Sequence, residues 1–360
     1  MTATYRITFT PMEPYFFGNE KTFRFTGEKL AGQFDSPYYI RSEILPAQTT
    51  LFGAIRYLLL NNRDPYFQSY PTNYEERIGP NSFSLKQTKK QNFGIISKMS
   101  PVFLQNAGDI YVKTPFDHKS GESVYTPFCR ATLTAPKSSS KREYAEDYDV
   151  KAGISDSYMN IDTRGIIDGK EIFDSVTRVG IDKKKHDEAF FKKEFRILKA
   201  GWSFGIYLTL DFKQEETLQL DPVVFLGQNK AAFRVEYVQE NVKDAQEENQ
   251  IENRIRAILP PHTVYCFGDT YVKSDVYQNF TFAATLTRDH RMYETLPDSK
   301  ETESGQKTER IRRDNILYKL LRAGSVFWFD PELQNITDIT EPFNHLNAQT
   351  IGMNSIIIKE

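Results

Sequence analysis

Along the first ten residues apolar and polar side chains alternate, with Tyr5, Ile7 and Phe9 set against Arg6, Thr8 and Thr10. A period of two predicts a strand with one buried face, closed by Pro11 and Pro14. In "ILPAQTTLFGAIRYLLL", residues 44–60, the period lengthens to that of a helix. At about 100° per residue, Leu51, Phe52, Ile55, Leu58 and Leu59 fall on one broad arc. This predicts a helix with its core face on that arc, capped by Thr49 or Thr50 and running to about Asn61 or Asn62. Thr49, Gly53, Arg56 and Leu60 share the opposite stripe, where Gly53 leaves a gap and Arg56 lies beside it. Two readings stay open: a glycine that relieves crowding next to a surface ion pair, or a place where another chain approaches the backbone.

Further along, "FGIISKM" and "DIYVKTPF" predict short strands joined by loops. Residues 134–153 are polar and charged, fitting a disordered excursion or an interaction loop. "FRILKAGWSFGIYLTLDF" (195–212) and "PVVFLGQNKAAFRVEYVQ" (222–239) predict two strand-rich stretches, candidates for the sheet of a second domain. Ile251, Ile255 and Leu259 recur at spacings of four, which predicts a helix over 243–259 ended by Pro260 and Pro261. "FTFAATLTRDHRMYETL" returns to strand, residues 297–315 form a charged loop, and strand pattern resumes in "ILYKLLRAGSVFWF" and "NSIIIKE". No tandem repeat is found, although the two halves are loosely similar in content.

Composition supports strands: 27 Phe and 20 Tyr in 360 residues favour sheets with aromatic faces, and the length accommodates two domains. With 46 basic and 48 acidic residues the formal charge is -2, so an anionic partner has to be held by local patches. "MTATYRITFT" has no targeting pattern and no window approaches a membrane span, so a soluble cytoplasmic protein with no membrane partner is expected. Cys129 and Cys266 lack metal or disulfide spacing and are expected to be two buried thiols. The two N-x-T sequons, at Asn279 and Asn335, carry no meaning in a chain that is not exported.

The five histidines, at 118, 186, 262, 290 and 345, show no zinc-helix spacing and are expected at the surface. There is no nucleophile elbow and no P-loop, so no enzyme activity, cofactor or metal site is expected. Basic residues cluster in "SVTRVGIDKKKH", at Lys192 and Lys193, and in "ERIRRD". Each cluster is a solvated loop or a local phosphate clamp. Arg178, between Thr177 and Val179, stands outside the charge run, as a residue at a hairpin tip would. Phe190, Phe191 and Phe195 lie among these charges and serve either core packing or base stacking.

Seven segments occur in an order that resembles the RAMP superfamily, the ferredoxin-like RNA-binding proteins of CRISPR effector complexes. They are "TPMEPYFFGNEKTF" (10–23), "LPAQTTLFGAIR" (45–56), "KTPFD" (113–117), "VTRVGID" (176–182), "LGQNKAAFRVE" (226–236), "AGSVFWF" (323–329) and "IGMNSIII" (351–358). Within the superfamily the chain resembles the handle-capping subunits of type III-B (Cmr) complexes. The resemblance implies an α+β fold of two ferredoxin-like (RAMP/RRM-like) modules with antiparallel sheets and inserted loops, 1–190 and 191–360. It implies a non-catalytic subunit that binds the 5′ handle of the crRNA and contacts the large polymerase-like subunit and neighbouring RAMP subunits. Thr49, Gly53 and Arg56 would then face RNA, Thr177 and Arg178 would lie on a loop reaching between nucleotides, and Gly352 with Asn354 would form a glycine-rich loop beside the backbone. The sequence departs from the family in "LPAQT", which lacks a second proline, and in "TIGMNS", which has one glycine. The acidic loops at 134–149 and 297–308 are expected to face solvent or protein. The alternative is a RAMP-fold endoribonuclease processing precursor crRNA, which needs a general acid and base, often a histidine on or beside the first helix. Residues 46–62 contain none.

Overall fold

The computed structural model describes the chain apart from residues 19–22, 25–37, 61–73, 134–141, 150, 152, 182–189, 214–217, 241–249, 273–275, 302–306, 314 and 333–334. Lys183, Lys184, Lys185 and His186, the first half of the 134–149 loop (134–141) and the first residues of the expected 243–259 helix lie outside the described residues.

The alternation at the N-terminus forms the strand Thr2–Pro11 (β1), in which Tyr5, Ile7 and Phe9 are buried. Its partners are far off in sequence. β1 is hydrogen-bonded antiparallel between Trp202–Asp211 and Ala231–Glu240, near the middle of a nine-stranded sheet. That sheet continues on one side through Phe103–Asn106, Asp109–Lys113, Ser157–Asn160 and Ile166–Asp168, and ends on the other at Val223–Leu226. Residues 195–198 pair elsewhere, with Phe173–Ile181, but the strands Trp202–Asp211 and Ala231–Glu240 within the stretches 195–212 and 222–239 belong to the sheet of β1. They flank β1, so a boundary between 190 and 191 would cut through one hydrogen-bonded sheet. The physical reason is that a lone N-terminal strand leaves both edges unpaired and gains two ladders from these strands.

The helix Gln48–Leu59 (α1) lies against this sheet with Leu51, Phe52, Ile55, Leu58 and Leu59 all buried, as their arc requires. Each such side chain taken from water contributes roughly 1.5–3 kcal/mol. The start of α1 differs from expectation: Ala47 is the N-cap, without a side-chain cap, and Thr49 and Thr50 are already helical. Gln48 instead reaches sideways, donating from Nε2 to the Ser100 carbonyl (2.7 Å) and accepting from the Val102 N–H (3.2 Å). Leu60, assigned to the open stripe, is buried just past the helix end.

The last third of the chain forms a four-stranded antiparallel sheet of Phe282–Ala284, Val326–Trp328, Thr263–Cys266 and Ile356–Lys359. The helix Gln250–Ile258 packs Ile251 and Ile255, with Leu259 just beyond, between this sheet and Phe103, Ile110 and Val112 of the large one. At the same junction two of the sequence motifs meet. Asp117 is fully buried, accepting from the Tyr125 hydroxyl (2.8 Å) and the Trp328 indole N–H (3.2 Å). The Arg130 guanidinium lies over Trp328, 4.4 Å from the ring centre.

Two further expectations change. Residues 297–315, expected as a charged loop, instead include the end of the strand Tyr293–Glu301 and its antiparallel partner Lys307–Arg313, the latter carrying Arg310, Arg312 and Arg313. Cys266 is buried but Cys129 is exposed, because it immediately precedes the strand Arg130–Leu133 instead of entering a core. The architecture is thus mixed α+β, rich in antiparallel strands and with few helices among the described residues.

Candidate nucleic-acid interface

Above the outer stripe of α1 lies a cleft of about 740 Å³. One wall is α1, through Thr49, Gly53 and Arg56. A side chain at Gly53 would meet nothing within 4 Å, so the gap read from the sequence opens into the cleft. Phe16, Phe17 and Gly18, which follow β1, form a second wall together with Gly227 and Gln228. These two loops touch closely: Gly227 has φ +77°, its added Cβ would stand 2.4 Å from the Phe16 carbonyl oxygen, and the Gln228 N–H donates to that same oxygen at 3.0 Å. Only glycine allows both the left-handed backbone and the contact. Beneath the wall, Phe17 stacks on Phe233 with centroids 6.0 Å apart. The Tyr15 hydroxyl donates to the Ile44 carbonyl (2.9 Å), and burial pushes its pKa far up, so it remains a protonated donor tying the end of β1 to the approach to α1. Three of the seven ordered motifs converge on this one cleft.

The third wall is invisible to sequence periodicity. Arg288, His290, Arg291 and Met292 line the cleft opposite α1, and His290 Nε2 lies 3.5 Å from Thr49 Oγ1. His290 and Arg288 belong to the strand Thr287–His290, whose partner Tyr318–Leu321 also pairs with Thr270–Tyr271. Arg288 Nη1 forms an ion pair with Asp269 Oδ2 (2.9 Å), and Asp269 Oδ1 accepts from the Ala323 N–H (3.1 Å). Among the described residues, three guanidinium groups thus line the cleft against one carboxylate, Glu43, which is paired with Arg322 (2.7 Å). On a chain of formal charge -2 this is a local positive site of the kind that holds an anion.

Arg56 is at the cleft but is not loose. Its Nε donates to the Ile78 carbonyl and its Nη2 to the Gly79 carbonyl, both at 3.1 Å, at the end of the short helix Tyr74–Ile78 (α2). Thr177 and Arg178 are exposed, but not at a hairpin tip: they sit in the ladder of Phe173–Ile181 with Phe190–Leu198, in register with Glu194 and Lys193. As neighbours in a strand they project to opposite faces of the sheet. Arg178 lies over Phe195, 4.7 Å from the ring centre, and Lys193 lies over Phe16 at 5.5 Å. Phe16 thereby belongs both to the cleft and to the hairpin surface.

The C-terminal pair is internal. Gly352, at φ +83°, packs on Ser100 and Gln48. Asn354 is fully buried: its Nδ2 donates to the Tyr271 (2.6 Å) and Phe343 (2.9 Å) carbonyls, and its Oδ1 accepts from the Tyr271 N–H (2.9 Å). Its backbone N–H donates to the Asp269 carbonyl (3.1 Å), so this loop reaches the cleft indirectly, through Asp269 and Arg288 on one side and through Gln48 at the start of α1 on the other. Among the described residues no group of three or more metal-ligating side chains comes together, and no helix is long and apolar enough to cross a membrane.

These features define a strand-rich α+β protein with a basic, aromatic-walled cleft on the outer face of its first helix. Residues 7–360 match the family of CRISPR-associated proteins Cas_Cmr3, and the chain belongs to that family. No curated protein matches it significantly. Among solved structures, a chain of the type III-B Cmr-beta bound to cognate target RNA is similar at 11% identity and a TM-score of 0.45, over 98% of this chain and 96% of that one. A chain of the same assembly bound to cognate target RNA and AMPPnP, state 1, is 12% identical with a TM-score of 0.43, over 98% and 95%. A chain of the Csm3-Csm4 subcomplex of the type III-A CRISPR-Cas interference complex is 13% identical with a TM-score of 0.34, over 91% and 92%.

Proposed function

We propose that the chain is a non-catalytic RNA-binding subunit of a type III-B CRISPR effector complex, which takes the 5′ handle of the crRNA and contacts the large polymerase-like subunit and neighbouring RAMP subunits in the cytoplasm. The fold would derive from two ferredoxin-like modules merged through the shared sheet. The observation that carries the reading is the convergence of family motifs on a cleft lined by Arg56, Arg288 and Arg291. Single-stranded RNA is held by such a combination of cations and aromatic rings, without groove geometry. Thr49, Gly53 and Arg56 are the α1 side of the site and Arg178 its hairpin side, with Thr177 on the opposite face of the same strand. Gly352 and Asn354 support it from behind. The test is co-expression with the other genes of its operon: the chain should purify with crRNA and partner subunits. Recovery free of both would overturn the assignment.

One contact favours a second reading, a RAMP-fold endoribonuclease. His290 supplies a histidine beside the first helix after all, against Thr49 and among three arginines. An imidazole there has the chemistry of a general base for a 2′-hydroxyl. Incubation of the purified chain with repeat RNA in the absence of metal is expected to leave the RNA intact. Specific cleavage abolished by His290→Ala would establish the enzyme instead.

A further inference from the structure

Resting on the RNA-binding reading, we propose that Arg288 is a phosphate-binding residue of the cleft, preset by Asp269, and that the RNA backbone runs from it along the row Ile40, Lys193 and Arg178. Four observations combine. First, the Arg288 side chain is only 13% exposed and is oriented through Nη1 by the Asp269 carboxylate. Its Nε–H is buried with no acceptor among the described residues. A buried donor left unmade costs about 1–3 kcal/mol, and the fork of a guanidinium is the shape that a phosphate satisfies with two parallel bonds. Arg288 is thus held in place with donor capacity unspent.

Second, the carboxylate that lines the cleft among the described residues is neutralised. Glu43 is taken by Arg322 at 2.7 Å, so the cleft presents cations to an incoming phosphate. Third, Asp269 is itself fixed, by the Ala323 N–H on its carboxylate and by the Asn354 N–H on its carbonyl. This gives the buried "IGMNS" loop a positioning role for Arg288 without contact to RNA.

Fourth, the cleft does not end at its rim. Ile40 lines the cleft and is in register with Lys193, which is in register with Arg178 on the next strand. At about 4.8 Å per strand this row extends the site by roughly 10 Å. Both cations on it lie over rings, Lys193 over Phe16 and Phe191 and Arg178 over Phe195. Gly180 is what lets the Phe191 ring cross the hairpin, since a Cβ there would stand 2.2 Å from that ring. Phe16 and Phe195 are themselves buried and so back the cations without offering stacking faces, and a row of held cations continuous with a phosphate site is a track for the backbone of a single strand.

The experiment is fluorescence anisotropy of the full chain with a mixed-sequence single-stranded RNA over a salt series. Arg288→Gln and Lys193→Gln are each expected to weaken binding about tenfold and to reduce the slope of log K against log salt by about 0.7, the loss of one phosphate contact on a single strand. Arg288→Lys should recover part of the affinity. Unmodified protein crosslinked to 4-thiouridine-containing RNA should yield peptides carrying Phe16–Gly18 and Arg288–Met292, a readout that no folding defect can mimic. If the wild type binds no RNA at any salt, the RNA-binding reading itself fails. If it binds, but Arg288→Gln and Lys193→Gln keep its affinity and slope, or the crosslinks fall only on other peptides, this inference alone is overturned.

Discussion

Gly352 lies against the side-chain amide of Gln48: a methyl group at 352 would stand 2.5 Å from Gln48 Nε2 and 2.4 Å from the Ser100 carbonyl oxygen to which that amide donates. The glycine also has φ +83°, a conformation costly for any other residue. Gly352→Ala is therefore expected to cost about 1–3 kcal/mol from the backbone alone, read as a lower urea midpoint. Because Gln48 begins α1, the same variant should weaken RNA binding in proportion to the disorder it introduces at the cleft. A variant as stable as the wild type would show that the loop can shift away from Gln48.

The carboxyl of Asp117 is fully buried, and that burial raises its pKa above the ordinary 3.8, opposed by the hydrogen bonds from Tyr125 and Trp328 and by the Arg130 charge. A raised folded-state pKa means that the folded protein holds the proton more tightly than the unfolded chain. Stability from this group is present below the ordinary value and falls as pH rises through the raised one. Urea unfolding across that range should show this decline, and Asp117→Asn should abolish it while folding normally at neutral pH. Asp117→Ala leaves the Tyr125 hydroxyl and the Trp328 indole without their acceptor, which costs about 1–3 kcal/mol for each of the two groups.

Space beside Gly53 separates folding from binding. Nothing lies within 4 Å of an added Cβ, and the site is in mid-helix, so Gly53→Ala should stabilise the protein by about 1 kcal/mol. Gly53→Trp should fold as well as the wild type yet fill the cleft, lowering RNA affinity at least tenfold in an anisotropy titration. Unchanged affinity would move the RNA away from α1.

Arg56 and Arg178 should part company in a thermal melt. Arg56 holds two carbonyls at the end of α2, so Arg56→Ala is expected to lose about 1–2 kcal/mol of stability as well as RNA affinity. Arg178 is exposed and makes a cation–ring contact worth about 0.5–1 kcal/mol. Arg178→Ala should therefore melt close to the wild type and lose affinity only.

Local pattern was enough to determine β1, the buried arc of α1, the Ile251–Ile255–Leu259 seam and the open stripe of Thr49, Gly53 and Arg56, because periodicity reports which face of an element is dry. The order of the short motifs was likewise legible and pointed to the family that the chain belongs to. Partnership was decided only by the tertiary structure. Strand pairing is set by sheet-wide register and burial, so nothing local told β1 to insert between 202–211 and 231–240, nor placed the domain boundary anywhere but midway. For the same reason His290 and Arg288, in an undistinguished "TRDHR", gave no sign of facing Thr49 across a cleft, while Asn354, in a conspicuous motif, proved to be buried. A side chain's chemistry is written in the sequence, but the company it keeps depends on long-range packing, and the site depends on both.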